Sequence, residues 1–417
     1  MPRFRGQWGK LRATAVLLLV LVVGQAACAT PRASESRRAR AALERGQALL
    51  ARGEMGAATV ALREALRSEP GLGEAREGLG LALYGMGDFD GAIDELRMLL
   101  RRQPGASRAR LTLARALMAR HDWAGARTEL DTIVRERPDL IEASYAAGVV
   151  RYRLGDLDGA IEAYRHVLAR MPEQPDARYN LALMLKLAGR DDEAAGEFLA
   201  AAEAGVAKAQ YFAGAAYAGG LGTPRDLARA IAWWFRAADQ GVSEAEEALS
   251  QLRRAASGRG TRGPIEREAA AQGFRDFRVG LWQQYPGLGP PTTPEEDASL
   301  GAALLGRGRA DEAIVVLIRE ASALSEPARR QLETVYERGI EGRVPAHDTR
   351  ILSYFTAASA EGDPRARMAL ARIYAEGLGV PRDVERALAL LRETPHEDAQ
   401  SLLQELSVGP GPASIRP

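Results

Sequence analysis

The residues with the most obvious capacity for chemistry are four histidines and a single cysteine. The histidines show no metal-ligand spacing, so a zinc site is not expected; they are His121, His166, His347 and His396. A glycine cluster at 219–222 follows a predicted helix rather than a strand, which argues against a phosphate-binding loop. No nucleophile motif and no basic-aromatic nucleic-acid signature accompanies them. We therefore predict a protein that is not an enzyme and has no metal or cofactor.

The composition is that of an ordinary folded protein. Of 417 residues, 46% are hydrophobic and 27% are charged, and the formal net charge is +1. This balance gives no support for a surface that binds nucleic acid or coats a membrane through its charge. The length would suit two or three ordinary domains, unless the chain is a repeat array.

The N-terminal segment has the pattern of an export signal. A basic region comes first and is followed by an apolar run over 13–24, which is too short for a membrane span of about 20 residues. The basic residues are Arg3, Arg5, Lys10 and Arg12. The pattern predicts that this segment is removed and plays no part in the fold.

The only cysteine stands at the end of the export signal, within Gln25-Ala26-Ala27-Cys28. This stretch resembles the lipobox of bacterial lipoproteins, although Gln25 occupies the site where that family usually has leucine. The resemblance implies a signal peptide over 1–27, a lipidated Cys28 and a tether over 28–37. Cleavage after Ala29, at a small-x-small site, is the alternative and would leave a soluble periplasmic chain. Both routes place the mature protein outside the cytoplasm, without an internal disulfide.

A constant interval of 34 residues runs through the first half of the chain. It relates Pro70, Pro104, Pro138 and Pro172, and it also relates the alanines 58, 92, 126, 160 and 194. Glycines at 53, 87, 155 and 189 are predicted to end a first helix in the left-handed conformation, with His121 at the equivalent place in the third repeat. Asp88 and Asp156 are predicted caps of the second helices. This interval is typical of a helix-turn-helix array, so we predict an all-α repeat solenoid.

These positions resemble the tetratricopeptide repeat (TPR): a small residue at the eighth site, glycine at the fifteenth, alanine at the twentieth and proline at the thirty-second. The small residues are Gly46, Gly80, Ala114, Gly148 and Ala182. The resemblance implies five TPR units over 38–202.

After residue 202 the period lengthens to 36, and the chain resembles the Sel-one-like repeat (SLR). The stretch 378–383 copies 221–226 with one change. We expect SLR units over 203–256, and a degenerate TPR plus SLR units over 296–406. The segment 257–295 is expected to be a linker with an amphipathic helix over Ile265–Tyr285, which serves either as a hinge or as a cap on the solenoid. A disordered tail is expected over 407–417.

The resemblance to TPRs also implies which residues line the concave face. The candidates are Tyr84, Arg115, Met118, Tyr145, Tyr152, Arg153, Tyr179 and Lys186. Tyrosine and arginine are effective anchors at protein interfaces, so one hypothesis is a groove for an extended or helical peptide that carries acidic groups. The other is that the tyrosines fill space between helices. Lys186 and Asn180 are present but their partners in the carboxylate-clamp TPRs are missing, so capture of a chaperone C-terminus is not expected.

The combination of lipoprotein signal, TPRs and SLRs resembles the outer-membrane lipoproteins of exopolysaccharide secretion, such as the alginate type. It implies a periplasm-facing scaffold that binds envelope proteins through its TPR and SLR concave surfaces and is anchored to the outer membrane by its lipid, with no nucleic-acid partner. An adaptor or regulator of peptidoglycan hydrolases or proteases is an alternative, and a pilus-assembly pilotin is another.

Overall fold

The computed structural model describes residues 31–259, 263–288 and 299–408. Within these ranges the chain forms twenty-one α-helices, and the only extended element is an isolated bridge between Ile340 and Val344. The predicted all-α repeat solenoid is confirmed. The chain divides into two compact units, unit 1 ending at Arg190 and unit 2 beginning at Asp191.

Unit 1 consists of antiparallel helix pairs joined by short turns. Its helices are α1 Pro31–Ala51, α2 Met55–Ser68, α3 Gly73–Gly85, α4 Phe89–Arg102, α5 Ser107–Ala119, α6 Trp123–Glu136, α7 Ile141–Arg153, α8 Leu157–Arg170 and α9 Pro175–Leu187. The tether expected over 28–37 differs from the structure, in which α1 is helical from Pro31. Proline suits the first turn of a helix because no intrahelical donor is needed there.

Two features recur in the turns between paired helices. The glycines at 53, 87, 155 and 189 have φ between 73° and 81°, and His121 occupies the same region at 60°. The side chains of Asp88, Asp122 and Asp156 then cap α4, α6 and α8, each by accepting a hydrogen bond from a backbone amide in the first turn of its helix. The chain reversal is therefore encoded in each of these repeats by two residues.

The eighth site of each repeat is small because a bulky side chain of the second helix packs onto it. A methyl group added at Gly80 would lie 2.6 Å from Leu96, and one added at Gly148 would lie 2.8 Å from Tyr164. Leu96 and Tyr164 are themselves buried. The paired helices consequently pack at close range, and most of the core of unit 1 consists of alanine and leucine.

Arginine side chains link successive repeats through ion pairs and hydrogen bonds. Arg76 pairs with Glu95, and one repeat later Arg110 pairs with Glu129 at 2.6 Å. The guanidinium groups of both arginines also donate to the carbonyl oxygens of Pro70 and Pro104. The proline carbonyls, which follow each second helix, thereby gain a partner from the next repeat.

Unit 2 contains helices of more varied length. They are α10 Asp191–Glu203, α11 Ala207–Gly219, α12 Leu227–Asp239, α13 Ser243–Ala256, α14 Pro264–Trp282, α15 Leu300–Gly306, α16 Ala310–Ser322, α17 Glu326–Arg338, α18 Thr349–Ala360, α19 Pro364–Glu376, α20 Val384–Arg392 and α21 Glu397–Val408. Gly220 and Gly377 end α11 and α19 in the left-handed conformation. The tail expected over 407–417 lies outside the described residues beyond position 408.

The two copied loops of unit 2 adopt the same structure. The backbone amide of Asp226 donates to the carbonyl oxygen of Tyr217 at 2.9 Å, and that of Asp383 donates to Tyr374 at 2.8 Å. Each aspartate then caps the following helix. The sequence similarity between 221–226 and 378–383 thus corresponds to a shared hydrogen-bonding pattern.

Helix α14 occupies the segment expected to interrupt the array. It packs against α12 and α13, with Phe277 stacked on Phe235 at 5.2 Å and Phe274 fully buried. Gly273 permits this approach, because a methyl group there would lie 2.6 Å from Leu227. Of the two roles considered for this helix, the packing corresponds to a helix laid on the solenoid.

Candidate protein-binding surface

The first helices of the repeats form the inner layer of unit 1. Helix α1 packs against α3, α3 against α5, and α5 against α7. No comparable contact joins successive second helices in the described part of this unit. Because the first helices approach one another more closely, the array curves toward them, and their free faces form the concave side.

All eight candidate residues lie on the first helices of unit 1. Tyr84 is on α3, Arg115 and Met118 are on α5, Tyr145, Tyr152 and Arg153 are on α7, and Tyr179 and Lys186 are on α9. Arg115, Tyr152, Arg153 and Lys186 are exposed, whereas the other four are half-buried.

Tyr145 occupies a polar position on this layer. Its hydroxyl oxygen accepts a hydrogen bond from the amide of Asn180 at 2.7 Å, and its ring meets the buried ring of Tyr164 edge-on at 5.6 Å. Burial raises the pKa of Tyr145, the carboxylate of Asp176 adds to this effect, and the Asn180 bond opposes it. The phenol therefore keeps its proton at neutral pH and can donate it to an acceptor on a partner.

Two candidates contribute mainly to packing. The ring of Tyr84 lies 5.7 Å from that of Phe89, and both Tyr84 and Met118 pack against the core of unit 1. Part of each of these two side chains therefore fills space between helices. Tyr152 differs, with 39% of its surface exposed.

Arg153 and Arg115 present cationic groups in different ways. The guanidinium of Arg153 lies over the ring of Trp123, 5.4 Å from its centroid, so it is held in place by a cation-π contact. Arg115 is exposed and makes no ion pair or hydrogen bond with the described residues. Arg115 is therefore the candidate best placed to meet an anionic group of a partner.

The structure adds two apolar residues to those expected on this layer. Leu81 and Leu187 have 43% and 51% of their surfaces exposed. Leu81 stands one repeat before Arg115, and Leu187 stands one repeat after Arg153. The repeat period therefore marks both positions, although the expectation for this layer rests on polar and aromatic residues.

Charges are distributed unevenly across the layer. The exposed carboxylates of Glu74, Glu142 and Asp176 stand near the beginnings of α3, α7 and α9, whereas Arg115 and Arg153 stand in the later halves of their helices. The helix dipole favours this order. Arg108, near the beginning of α5, is an exception. A partner would consequently meet a more acidic edge and a more basic edge.

Two other kinds of site are missing from the described part of the chain. In the ranges 31–259, 263–288 and 299–408, no group of three histidine, cysteine, aspartate or glutamate side chains is arranged to hold a metal ion. No helix in these ranges has the length and apolar character needed to cross a membrane. Cys28 and the predicted export signal lie outside the described residues.

Comparison with known protein families identifies the repeats. Models described as tetratricopeptide repeat match residues 43–107, 83–149 and 145–211, and the Sel1 repeat model matches 207–242 and 364–393. The curated proteins contain no match to the chain.

Three solved structures similar to this chain each align with less than half of it. A MamA protein is 24% identical over 42% of this chain and 95% of its own, with a TM-score of 0.39. MamA from Desulfovibrio magneticus RS-1 is 24% identical over 40% of this chain and 94% of its own, with a TM-score of 0.39. YrrB, described as a TPR protein with an unusual peptide-binding site, is 18% identical over 45% of this chain and 96% of its own, with a TM-score of 0.39.

The helix pairs, their turns and the matched repeat models define the class of protein. The chain is an α-helical repeat protein that combines tetratricopeptide and Sel1 repeats. Such repeats are protein-interaction modules, and the chain is accordingly built as an interaction scaffold.

Proposed function

We propose that the concave layer of unit 1 binds an extended or helical peptide segment that carries acidic groups, and that the protein is a non-catalytic scaffold. The observation that carries this proposal is the exposure of Arg115 and Tyr152 on a continuous layer of packed helices. The hydroxyl group of Tyr145 adds a hydrogen bond that it can donate to an acceptor on the peptide. A rigid layer of this kind lowers the entropic cost of binding, because few side chains must be ordered.

The exposed apolar residues support the same proposal. Leu81, Tyr152 and Leu187 provide area for burial along the layer, while Arg115 provides a charge for a carboxylate. Tyrosine and arginine are enriched among the few residues that dominate binding energy at interfaces, and the two leucines add apolar area around them.

The groove is tested by substitutions that change its surface and leave the core in place. Arg115→Glu should weaken capture of the partner by about ten-fold or more, because attraction for an acidic segment becomes repulsion. Arg97→Glu on α4 is the matched control, since Arg97 is exposed on a second helix. Cross-linked affinity purification of each variant from native membranes, with quantitative mass spectrometry, measures the effect. Equal loss for both variants, or no loss for Arg115→Glu, would contradict the proposal.

We further propose that this scaffold works in the bacterial envelope, as an outer-membrane lipoprotein facing the periplasm. The support is the sequence of the export signal and of Cys28, together with the resemblance to exopolysaccharide-secretion lipoproteins. In this proposal the solenoid assembles an outer-membrane or periplasmic complex, such as a polysaccharide export machine. The alternative partners are peptidoglycan hydrolases or proteases, and a role as a pilus-assembly pilotin is a further alternative.

The anchor is tested at Cys28. In cells fed an alkyne-tagged fatty acid, the wild-type chain should take up the label and sediment with membranes. Cys28→Ser should lose both properties, because serine cannot accept the thioether-linked lipid. A Cys28→Ser chain that still sediments with membranes would refute lipidation as the means of attachment. The co-purifying proteins then separate secretion partners from hydrolases, proteases or pilus proteins.

A further inference from the structure

One edge of unit 1 is formed where each second helix ends and the next first helix begins. Helix α1 joins this edge, because its first turns lie beside the end of α2, where the Ser36 hydroxyl donates to Glu69 at 3.4 Å. One repeat later, the guanidinium of Arg102 donates to the carbonyl oxygen of Pro70 at 3.5 Å. The start of α1 and the ends of α2 and α4 therefore lie side by side.

The part of this edge nearest the N-terminus is rich in arginine. We call it the N-terminal rim and define it as residues 34–42, 66–76 and 100–110. It contains nine arginines and three glutamates, whereas the corresponding residues of the next two repeats, 134–144 and 168–178, contain four arginines and five acidic residues. The edge is consequently basic in the first repeats and slightly acidic in the later ones.

The rim keeps an excess of positive charge when its ion pairs are counted. Arg76 and Arg110 bind glutamates of neighbouring helices, which leaves seven arginines against the three glutamates of the rim. Arg38, Arg40 and Arg101 are exposed and make no ion pair with the described residues. A local excess of this kind attracts an anionic surface even though the net charge of the whole chain is only +1.

Helix α1 connects the rim to the predicted lipidation site. It begins at Pro31, eight residues before position 39, which is equivalent to the starts of α3 and α5, so it extends about 12 Å beyond the rim. Cys28 stands three residues before α1, which is a chain length of at most about 10 Å. A lipid on Cys28 would therefore hold the rim within roughly 20 Å of a membrane surface.

We propose that the N-terminal rim of unit 1 is a membrane-contact surface that lies against anionic phospholipid headgroups. This inference rests on the anchor proposed at Cys28, because the anchor brings the rim to a membrane. Attraction between the rim and the headgroups then orients unit 1, with its first three repeats at the lipid surface and its later repeats farther away. The free faces of the first helices are not part of the rim and stay open to a protein partner.

The distribution of charge favours a lipid surface over a soluble acidic polymer. A polymer that ran along the solenoid would meet the whole edge, but residues 134–144 and 168–178 carry more acidic than basic groups. The arginines are instead gathered in the repeats nearest to Cys28. This is where a chain anchored at that residue would meet the membrane.

The test uses chain 29–417, which contains every described residue but lacks Cys28, so its binding does not depend on lipidation. Sedimentation assays compare vesicles of phosphatidylcholine with vesicles of an equal mixture of phosphatidylcholine and phosphatidylglycerol. The chain should bind only the mixed vesicles in about 0.1 M salt. Binding should be lost in about 1 M salt, because the Debye length falls from about 10 Å to about 3 Å.

Arg101→Gln combined with Arg102→Gln removes two charges from the rim. This change should weaken binding to the mixed vesicles roughly 25-fold, since each arginine near an anionic membrane strengthens binding about five-fold. Arg38→Gln combined with Arg40→Gln is a second rim variant with the same expected effect.

The matched control is Arg135→Gln combined with Arg170→Gln, which removes two exposed arginines from equivalent sites of later repeats. It should change the affinity less than about two-fold, because these sites lie outside the rim. Equal losses in the rim and control variants, or equal binding to both kinds of vesicle, would overturn the proposal. Tighter binding to polygalacturonate, a soluble acidic polymer, than to the mixed vesicles would also overturn it.

A second measurement tests the orientation of unit 1 on the membrane. Chain 29–417 has no cysteine, so an introduced cysteine carries a single fluorescent label. Gln103 and Met171 are exposed, uncharged and two repeats apart, directly after α4 and α8. Energy transfer to an acceptor in the headgroups of mixed vesicles should be stronger from Gln103→Cys than from Met171→Cys, and equal transfer would overturn the orientation.

The membrane-contact surface and the lipid anchor can fail separately. If Cys28 takes up no fatty-acid label while the vesicle results hold, the anchor is refuted and the contact surface is not. If Cys28 is labelled but the rim variants bind vesicles as the wild type does, the contact surface is refuted and the anchor is not.

Discussion

Substitution of Gly87 by alanine tests the repeat architecture at one of its turns. Gly87 follows α3 with a φ of 80°, and a methyl group added there would meet nothing within 4 Å. The cost is therefore conformational rather than steric. For an L-residue the left-handed region costs about 1–2 kcal/mol, so Gly87→Ala should destabilise the chain by roughly that amount.

Two further variants should change the free energy of unfolding in the opposite direction to Gly87→Ala. Gly196 lies inside α10 and also has open space around it, so Gly196→Ala should stabilise by about 0.5–1 kcal/mol through helix propensity. His121 adopts a φ of 60° at the position equivalent to Gly87, so His121→Gly should stabilise by up to about 1 kcal/mol. Loss of the ring contact with Trp123, at 5.5 Å, reduces that gain.

Urea unfolding of the full chain, followed by circular dichroism, gives the direction of each change. Native-state hydrogen exchange then gives the local opening free energy around the α3–α4 turn, which matters because repeat arrays need not unfold in one step. If Gly87→Ala leaves this turn unaffected or stabilises it, the left-handed turn assigned to each repeat is wrong.

The remaining predictions concern the core and a buried carboxylate. Leu96→Ala should destabilise by about 2–5 kcal/mol in urea unfolding, because Leu96 is fully buried against Gly80; a change below about 1 kcal/mol would contradict that packing. Glu320→Ala should cost about 3 kcal/mol, because the buried carboxylate accepts hydrogen bonds from the Ser299 hydroxyl and from the backbone amides of Leu300 and Gly301. Burial raises the pKa of Glu320, so the unfolded chain releases this proton first, and wild-type stability should fall relative to Glu320→Gln as the pH rises above about 4.5. Urea midpoints of the wild type and of Glu320→Gln, measured at a series of pH values, test this prediction. A wild-type midpoint that rises with pH relative to that of Glu320→Gln would contradict the burial of Glu320.

Much of the fold of unit 1 is predictable because each repeat reuses the same local devices. Gly87, Asp88 and Pro70 have roles that depend on their near neighbours in the chain, so the repeat period reveals them. The pairing of Arg76 with Glu95 is also periodic, since Arg110 and Glu129 repeat it. The two partners of each pair lie on different helices, however, so the pairing is visible only once the helices are stacked.

Other features depend on contacts that the period does not describe. Helix α14 has no counterpart in the repeats, and its place on α12 and α13 follows from the fit of Phe277 against Phe235 and of Gly273 against Leu227.

The concave layer of unit 1 is proposed to bind a protein partner. A photo-cross-linking amino acid placed at Tyr145, in cells of the source organism, tests it most directly when compared with the same amino acid at Arg97 on α4. We expect a discrete cross-linked product from position 145 that is absent from position 97 and reduced by Arg115→Glu. Equal products from both positions, or a product from position 97 alone, would contradict the claim.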